Sequence, residues 1–155
     1  MSVRSGPVAP LLVFAWGNRS RGDDALGPLC LDRLRALLAA DSGLDWLEDY
    51  QLQIEHALDL LGRSRVLFVD ASLTCSAPFE VTSVAPARDT GAATHALSPQ
   101  ALLQVYCDLY AGPPPPCTLL AIRGECFDLG APLSPAADAH LELALGWCRS
   151  WLSRS

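Results

Sequence analysis

Uninterrupted apolar runs alternate with amphipathic stretches along this sequence. The first run, Leu11–Trp16, contains no charged residue, which is typical of a strand that is covered on both faces. A polar turn follows, and residues 26–38 then carry leucines and a cysteine at helical spacing. Pro28 is compatible only with the first turn of a helix. The pattern therefore predicts a buried first strand and a helix that begins between Ala25 and Gly27.

The next segment predicts a second strand and a short helix. Tyr50, Leu52 and Ile54 alternate with polar residues, as in a strand with one exposed face. Residues 56–62 end in a glycine, a residue that commonly closes a helix. We therefore expect a half-exposed strand around residues 50–54 and a short helix after it.

A third and a fourth strand follow in quick succession. The apolar residues 66–69 predict a buried strand that ends on Asp70, and residues 79–85 alternate again between apolar and polar. The gap of about eight residues after Asp70 is too short for a crossover helix. The fourth strand should therefore pair antiparallel, at an edge of the sheet.

Two helices and one strand complete the predicted chain. Ser98-Pro99 and Ser134-Pro135 each place a capping serine before a proline, which predicts helices that end near Tyr110 and Ser150. The run 117–122 between them predicts a fifth buried strand. The order β-α-β-α-β-β-α-β-α predicts an α/β fold, a three-layer α/β/α sandwich around a mostly parallel five-stranded sheet with one antiparallel edge strand. We take residues 1–155 as a single domain and residues 1–10 as a flexible N-terminal segment.

Composition and charge exclude several classes of protein. Half of the 155 residues are hydrophobic and 18% are charged, so the chain is not disordered. The net charge is -6, whereas proteins that bind nucleic acid or an anionic membrane surface need a basic patch, so neither partner is expected. No apolar run approaches the roughly 18 residues of a membrane span. The six cysteines form no Cys-x-x-Cys pair, which favours free thiols in a reducing cytosol. We expect a cytoplasmic monomer.

Polar residues that could bind a ligand or take part in a reaction lie at one predicted edge of the sheet. Asp23 and Asp24 follow the first strand, Asp70 ends the third, and His95 lies in the loop after the fourth. Ligands of open α/β sheets bind beyond the carboxyl ends of the strands. Two carboxylates and an imidazole there could hold a divalent first-row metal or act as an acid-base set.

Each of these residues also has a purely structural alternative. Asp24 could cap the first helix, Asp70 could accept hydrogen bonds from loop amides, and His95 could be solvated. Sequence motifs for other chemistries are absent: there is no Gly-x-Ser-x-Gly elbow, no His-Glu-x-x-His helix and no phosphate-binding Gly-Lys-Ser/Thr loop. The turn after the first strand also lacks the close glycine pair of a dinucleotide site.

The order of these residues resembles a known family. Residues 12–18, followed by Asp23-Asp24-Ala25-Leu26-Gly27, resemble the opening signature of the hydrogenase-maturation endopeptidases. That signature is a hydrophobic strand, Gly-Asn, a four-residue gap, an acidic pair and a helix. Val69-Asp70-Ala71 is similar to the strand-end aspartate of the family, and His95-Ala96-Leu97-Ser98 to its histidine before a helix. The resemblance extends over roughly residues 11–151.

The resemblance implies a function and a set of site residues. In this family the second acidic residue, the strand-end aspartate and the loop histidine contact the metal. The corresponding residues here, implied as catalytic and metal-contacting, are Asp24, Asp70 and His95. The family removes a C-terminal extension from the precursor of a nickel-iron hydrogenase large subunit after nickel insertion. The resemblance thus implies an endopeptidase that recognises nickel supplied by that precursor, with no metal permanently bound. No covalent nucleophile is assigned.

This sequence departs from the family pattern at two places. Some relatives carry Glu where Asp24 stands, so the carboxylate here reaches one methylene less far. Many relatives have an Asp-Gly element after strand two, whereas residues 51–56 here are similar to the branch that serves cytosolic, NAD-coupled hydrogenases.

Five further residues are candidates to contact the substrate: Gly17, Asn18, Asp23, Glu55 and His56. The alternative for the last two is that His56 begins a helix and Glu55 is exposed. Two other functions stay open at this point. One is a metal-binding maturation or scaffold protein without proteolysis, and the other is a small-molecule binder at the sheet edge.

Overall fold

A five-stranded sheet forms the middle layer of the protein. The computed structural model describes residues 8–38, 43–89 and 96–154. The strands are β1 (Leu11–Trp16), β2 (Leu44–Asp49), β3 (Arg65–Ser72), β4 (Phe79–Val84) and β5 (Cys117–Arg123). Their order in the sheet is β2-β1-β3-β5-β4. All neighbouring strands are parallel except β4, which pairs antiparallel with β5 at the edge. The predicted fold class, including its antiparallel edge strand, is confirmed.

Helices cover both faces of this sheet. They are α1 (Leu26–Leu38), α2 (Pro99–Leu109) and α3 (Pro135–Leu152), with two 3-10 helices at Gly22–Ala25 and Ile54–Leu60. Because successive side chains along each strand point to opposite faces of the sheet, the sheet contributes to two separate hydrophobic cores. One core joins β1, β3 and β5 to α1 and α3, and the other joins them to α2 and the second 3-10 helix. No helix within the described residues is both long and apolar enough to cross a bilayer.

Local signals in the sequence account for the helix starts. The Oγ of Ser98 accepts a hydrogen bond from the N–H of Ala101 at 3.0 Å, and the Oγ of Ser134 accepts one from Ala137 at 3.2 Å. Both predicted capping serines are therefore confirmed. The first helix begins at Leu26, within the predicted interval, after one 3-10 turn.

The predicted second strand is wrong in position. β2 is Leu44–Asp49, six residues before the predicted segment, and pairs in register with β1. Residues 50–53 form an irregular segment before the 3-10 helix that begins at Ile54; only Leu52 is in the core, while Tyr50 and Ile54 are exposed. Ladder partners far away in sequence, rather than local alternation, fix the strand.

Three smaller expectations also need correction. β3 does not stop at Asp70 but continues to Ser72, since its ladder with β5 continues. The short helix is a 3-10 helix that begins at Ile54 rather than at residue 56. Residues 9 and 10, predicted to be flexible, are bound to the rest of the fold: the carbonyl of Ala9 accepts a hydrogen bond from the Arg63 guanidinium, and that of Pro10 accepts from the N–H groups of Ser64 and Arg65. Residues 1–7 lie outside the described part.

Candidate functional site

The carboxyl ends of β2, β1 and β3 bring three polar or amphipathic side chains into one row. Trp16 ends β1 and pairs with Asp49, which ends β2. On the other side Ala15 pairs with Val69, so Trp16 and Asp70 are the next residues of the two strands. Neighbouring strands lie about 4.8 Å apart. Asp49 and Asp70 therefore flank the end of β1, with their Cα atoms about 10 Å apart, twice the strand spacing.

Asp70 is the most strongly perturbed acid of this row. Burial raises the pKa of Asp70 to about 7, against a hydrogen bond from the N–H of Ala71 at 2.8 Å. The charge of Asp24 raises this pKa further, while a hydrogen bond from the Trp16 side chain lowers it. An acid that is shifted by burial and by a second carboxylate is characteristic of functional sites. The charge of Asp24 thus acts on the Asp70 carboxyl, while the convergence of the two carboxylates on one metal stays a prediction.

A small cleft opens beside Asp70. It has a volume of about 360 Å³, and we call it the Asp70 cleft. Its lining residues are Trp16, Asp70, Asp89, Ala96, Leu97, Ser98 and Pro99. The Asp89 carboxylate accepts hydrogen bonds from both the N–H and the hydroxyl of Ser98, and so joins residue 89 to the start of α2. The cleft therefore lies between the end of β3 and the N-terminus of α2.

Asp24 lies in the 3-10 turn that precedes α1. Its Oδ2 accepts a hydrogen bond from the backbone N–H of Asn18 at 2.9 Å, across the loop that joins β1 to this turn. Gly17 makes the approach possible: a Cβ there would lie 2.1 Å from the carbonyl oxygen of Asp24, and the φ of +149° suits glycine. The carboxylate thus closes the preceding loop, and the side-chain bond described here is not a helix cap.

Asp23 does not reach the surface. It is wholly buried, and its carboxylate accepts hydrogen bonds from the backbone of Glu125, Cys126 and Ser134 and from the Ser134 hydroxyl. Burial alone would raise the pKa of Asp23, but these hydrogen bonds outweigh it and hold the pKa below its usual range. The prediction that Asp23 contacts substrate is therefore wrong, because no oxygen of it is accessible.

A second opening, the β1–β2 groove, lies on the other side of the β1 end. Its volume is about 400 Å³, and it is lined by Gly17, Asn18, Arg19, Ser20, Glu48, Asp49 and Tyr50. Arg19 fixes one wall, since its guanidinium forms paired hydrogen bonds to both Asp32 and Glu48. Two of the five predicted substrate contacts, Gly17 and Asn18, thus line a groove next to Asp24. Their role in binding stays a prediction.

His56 and Glu55 do not line this groove. His56 is buried, with its ring edge-on to Phe14 at 4.6 Å between centroids. Its Nδ1 accepts from the N–H of Gln53 at 2.9 Å, so the neutral ring carries its proton on Nε2, which lies 3.0 Å from Asp49 Oδ2. Glu55 is exposed on the same 3-10 helix. Glu55 is therefore exposed, as the structural alternative expected, whereas His56 is the third residue of the 3-10 helix rather than its first, and its ring contacts Asp49 from the buried side.

Asp49 is the residue of this edge that sequence reasoning missed. With strand two predicted at residues 50–54, the segment that corresponds to the Asp-Gly element of many relatives is 51–56, which lacks it. The end of β2 carries Asp49 at that position, with Oδ1 accepting from the Tyr50 N–H and Oδ2 facing His56. The signal that could have found it is the Glu48-Asp49 pair at the end of a short, half-apolar segment.

His95 lies outside the described residues, so its position relative to Asp24 and Asp70 stays a prediction. Within residues 8–38, 43–89 and 96–154, no group of three His, Cys, Asp or Glu side chains is arranged to hold a metal ion. The two carboxylates that are described supply oxygen donors suited to a divalent ion. They need further ligands to complete a coordination shell, whether from the loop before α2 or from a substrate.

Taken together, the sheet order and the site define an α/β protein with its polar centre at the carboxyl end of β1. Comparison with solved structures specifies the fold further. No protein-family model matches the sequence, and no curated protein matches it. Nine chains of solved structures match it.

Three of these structures are similar over nearly the whole chain. The hydrogenase-maturating endopeptidase HybD from E. coli has a TM-score of 0.72 at 20% identity, covering 92% of this chain and 91% of its own. The nickel-iron hydrogenase maturation protease HycI from Thermococcus kodakarensis has a TM-score of 0.73 at 19% identity, covering 94% of each chain. A hydrogenase 2 maturation peptidase from a Thaumarchaeota archaeon has a TM-score of 0.65 at 21% identity, covering 92% and 97%. This chain therefore has the fold of hydrogenase maturation proteases.

Proposed function

We propose that this protein is an endopeptidase that removes the C-terminal extension of a nickel-iron hydrogenase large-subunit precursor once nickel is inserted. One observation carries the proposal: beside the end of β1, burial raises the pKa of Asp70 to about 7, and the charge of Asp24, in the turn after β1, raises it further. The fold that presents them is shared with proteins described as hydrogenase maturation proteases. The opening signature in the sequence supports the same assignment.

In this proposal the nickel belongs to the substrate. Asp24 and Asp70 offer hard oxygen donors, and His95 would add an imidazole from the loop before α2. Thiolates of the precursor would hold the ion on its other side, so that the protein needs no metal of its own. Two mutually repelling carboxylates gain more from an approaching cation than a single one would, because the cation also relieves their repulsion.

Water is the attacking group in this proposal. Its oxygen bonds to the carbonyl carbon of the peptide, the C–N bond breaks, and one proton of the water ends on the released amine. A base with a pKa near 7 can accept that proton and return it, and the carboxyl of Asp70 has such a pKa. The alternative is activation by the substrate's nickel, which lowers the pKa of a bound water.

The two sides of the β1 end suggest how the precursor would lie. The Asp70 cleft is next to the carboxylates that would meet the nickel, and the β1–β2 groove continues beyond Gly17 and Asn18. A peptide that crosses the end of β1 would leave its metal-bearing part at Asp70 and its extension in the groove. The substrate in this account is the precursor of a cytosolic, NAD-coupled hydrogenase, which puts the protein in the cytoplasm.

Incubation with nickel-loaded precursor tests the function directly. We expect the mass of the large subunit to fall by that of a short C-terminal peptide, and Asp70→Ala to abolish the change. A protein that binds the precursor without shortening it would instead be a maturation or scaffold factor. A protein that neither binds nor shortens it would leave the small-molecule alternative.

A further inference from the structure

Asp23 is a buried carboxylate that the proposed reaction does not use directly. None of its surface is exposed. Its Oδ1 accepts from the N–H of Ser134 at 2.7 Å, and its Oδ2 accepts from the Ser134 hydroxyl at 2.7 Å and from Glu125 and Cys126 N–H groups at 2.7 and 3.3 Å. None of these four donors is a cation. Burying an ionised carboxylate without an ion pair costs free energy unless hydrogen-bond donors surround it, and here four neutral donors do so.

Its donors all belong to one stretch of chain, the segment between β5 and α3. The backbone also joins this segment to the 3-10 turn, since the N–H of Asp23 donates to the carbonyl of Cys126 at 2.8 Å. Two glycines allow the close fit: a Cβ on Gly22 would lie 2.6 Å from that carbonyl oxygen, and a Cβ on Gly124 would lie 2.8 Å from the Cβ of Asp23. The turn is thus fixed to a distant part of the fold at side-chain and backbone level.

Asp24 follows Asp23 in the same 3-10 turn, so the bonds of Asp23 also restrain its backbone. Its carboxylate is held on the opposite side by the Asn18 N–H at 2.9 Å, and its carbonyl oxygen lies in the space that glycine leaves at position 17. Asp24 therefore sits between two attachments, the loop 17–18 and the buried anchor of its neighbour. Without the Asp23 carboxylate, the turn would lose four of the hydrogen bonds that restrain it and would keep the backbone bond to Cys126 and the attachment to the loop 17–18.

We propose that Asp23 is a positioning residue that holds the Asp24 carboxylate at the site by locking the 3-10 turn to the segment before α3. The two acidic residues thus have different roles: Asp23 anchors the turn, and Asp24 faces the substrate. The catalytic consequence rests on the proposed function, but the mechanical consequence does not. The two are tested separately.

The Asn18 amide reports the position of Asp24 without any activity assay. In a ¹⁵N-labelled protein its hydrogen exchange and chemical shift depend on the hydrogen bond to Asp24 Oδ2. In Asp23→Asn an NH₂ group replaces one acceptor and opposes an N–H or O–H donor of the anchor. We expect exchange of the Asn18 amide to accelerate by about tenfold or more, as for a locally opened hydrogen bond. An unchanged Asn18 amide in folded Asp23→Asn would overturn the proposal.

Two controls separate positioning from general loss of stability. Leu103→Ala makes a cavity in the core under α2, on the other face of the sheet, and should lower the melting temperature while leaving the Asn18 amide unchanged. Asp24→Ala should abolish the protection of that amide. If Leu103→Ala accelerates Asn18 exchange as much as Asp23→Asn does, the anchor has no specific role.

Ser134 provides a milder second variant in case Asp23→Asn does not fold. Ser134→Ala removes one donor to Asp23 and should accelerate Asn18 exchange by less than Asp23→Asn does, whereas Ser134→Thr keeps the hydroxyl and should restore protection. Equal exchange in Ser134→Ala and the unmodified protein would contradict the anchor.

In the processing assay, Asp23→Asn should lower kcat on the order of 10²-fold, with KM changed far less, because a misplaced group affects the transition state most. A displaced Asn18 amide with kcat unchanged would overturn the catalytic part of the proposal alone. Absence of processing by the unmodified protein would contradict the proposed function and leave the amide result standing.

Discussion

At the scale of single residues, the raised pKa of Asp70 makes stability depend on pH. The pKa of Asp70 is about 7 in the folded protein, whereas an unfolded chain releases this proton near pH 4. Between these pH values the folded state binds more protons, so this carboxyl lowers the free energy of unfolding as pH rises from about 4 to about 7. Above pH 7 the penalty is fully present.

Asp70→Asn should remove that penalty. Asn can still accept the hydrogen bond from Ala71, so its advantage over the unmodified protein should grow by on the order of 2–4 kcal/mol between pH 4.5 and pH 8. Urea titrations at the two pH values measure this. Thr82→Ser, at an exposed position on β4, removes no titratable group and is the control, which should show no such growth. A difference between Asp70→Asn and the unmodified protein that stays constant with pH would contradict the burial argument.

Asp24 can be tested by a substitution that keeps its hydrogen bond. Asp24→Asn still accepts from the Asn18 N–H, so the free energy of unfolding should change by less than about 1 kcal/mol. It loses the charge that a metal-bearing substrate would meet, so processing should collapse. Asp24→Glu should retain part of the activity, since Glu stands at this place in some members of the family that the sequence resembles. Full activity of Asp24→Asn would reduce Asp24 to a loop-closing residue.

At the scale of secondary-structure elements, Gly27 sets how closely α1 approaches the end of the sheet. A Cβ there would lie 2.6 Å from the carbonyl oxygen of Trp16 and 2.9 Å from that of Val69. Gly27→Ala must therefore push α1 outwards, and we expect it to cost about 1–3 kcal/mol of unfolding free energy. Gly146→Ala in α3 meets nothing within 4 Å and should instead stabilise by about 0.5–1 kcal/mol. Denaturant titration compares the two, and equal effects would show that the close approach is not real.

The elements that sequence predicted well are those with strong local signals. β1 is an unbroken apolar run, and both serine-proline caps are specified by adjacent residues. The antiparallel edge strand followed from loop length alone. β2 could not be predicted in this way, since Leu44–Asp49 is half polar and is defined by its ladder with β1.

The site shows the same division between local and distant information. The placement of Asp24 and Asp70 at the same edge of the sheet could be predicted, because parallel strands have their carboxyl ends at one edge. The role of Asp23 could not be predicted, since its hydrogen-bond donors lie more than 100 residues away in sequence. Asp49 was missed because its strand was misplaced.

At the scale of the whole molecule, two openings flank the end of β1, and an acid lies beside each. The chain carries a net charge of -6, with Asp49 at the β1–β2 groove and Asp70 at the cleft. A cation presented by a partner meets favourable charge at this edge, and the perturbed pKa of Asp70 predicts the pH range in which it does so. We expect processing to rise with pH through about 7 as Asp70 loses its proton. Rates measured between pH 5.5 and 8.5 check this, and a rate that falls over that range would contradict it.

We propose that this edge of the sheet recognises nickel carried by a precursor, and that the protein then cleaves the precursor. The most direct measurement is the mass of the large subunit after incubation of the protein with metal-free precursor and with nickel-loaded precursor. We expect that only the nickel-loaded precursor loses its C-terminal extension, and that adding nickel to the protein alone does not replace loading of the precursor. Equal cleavage of both precursors would contradict it.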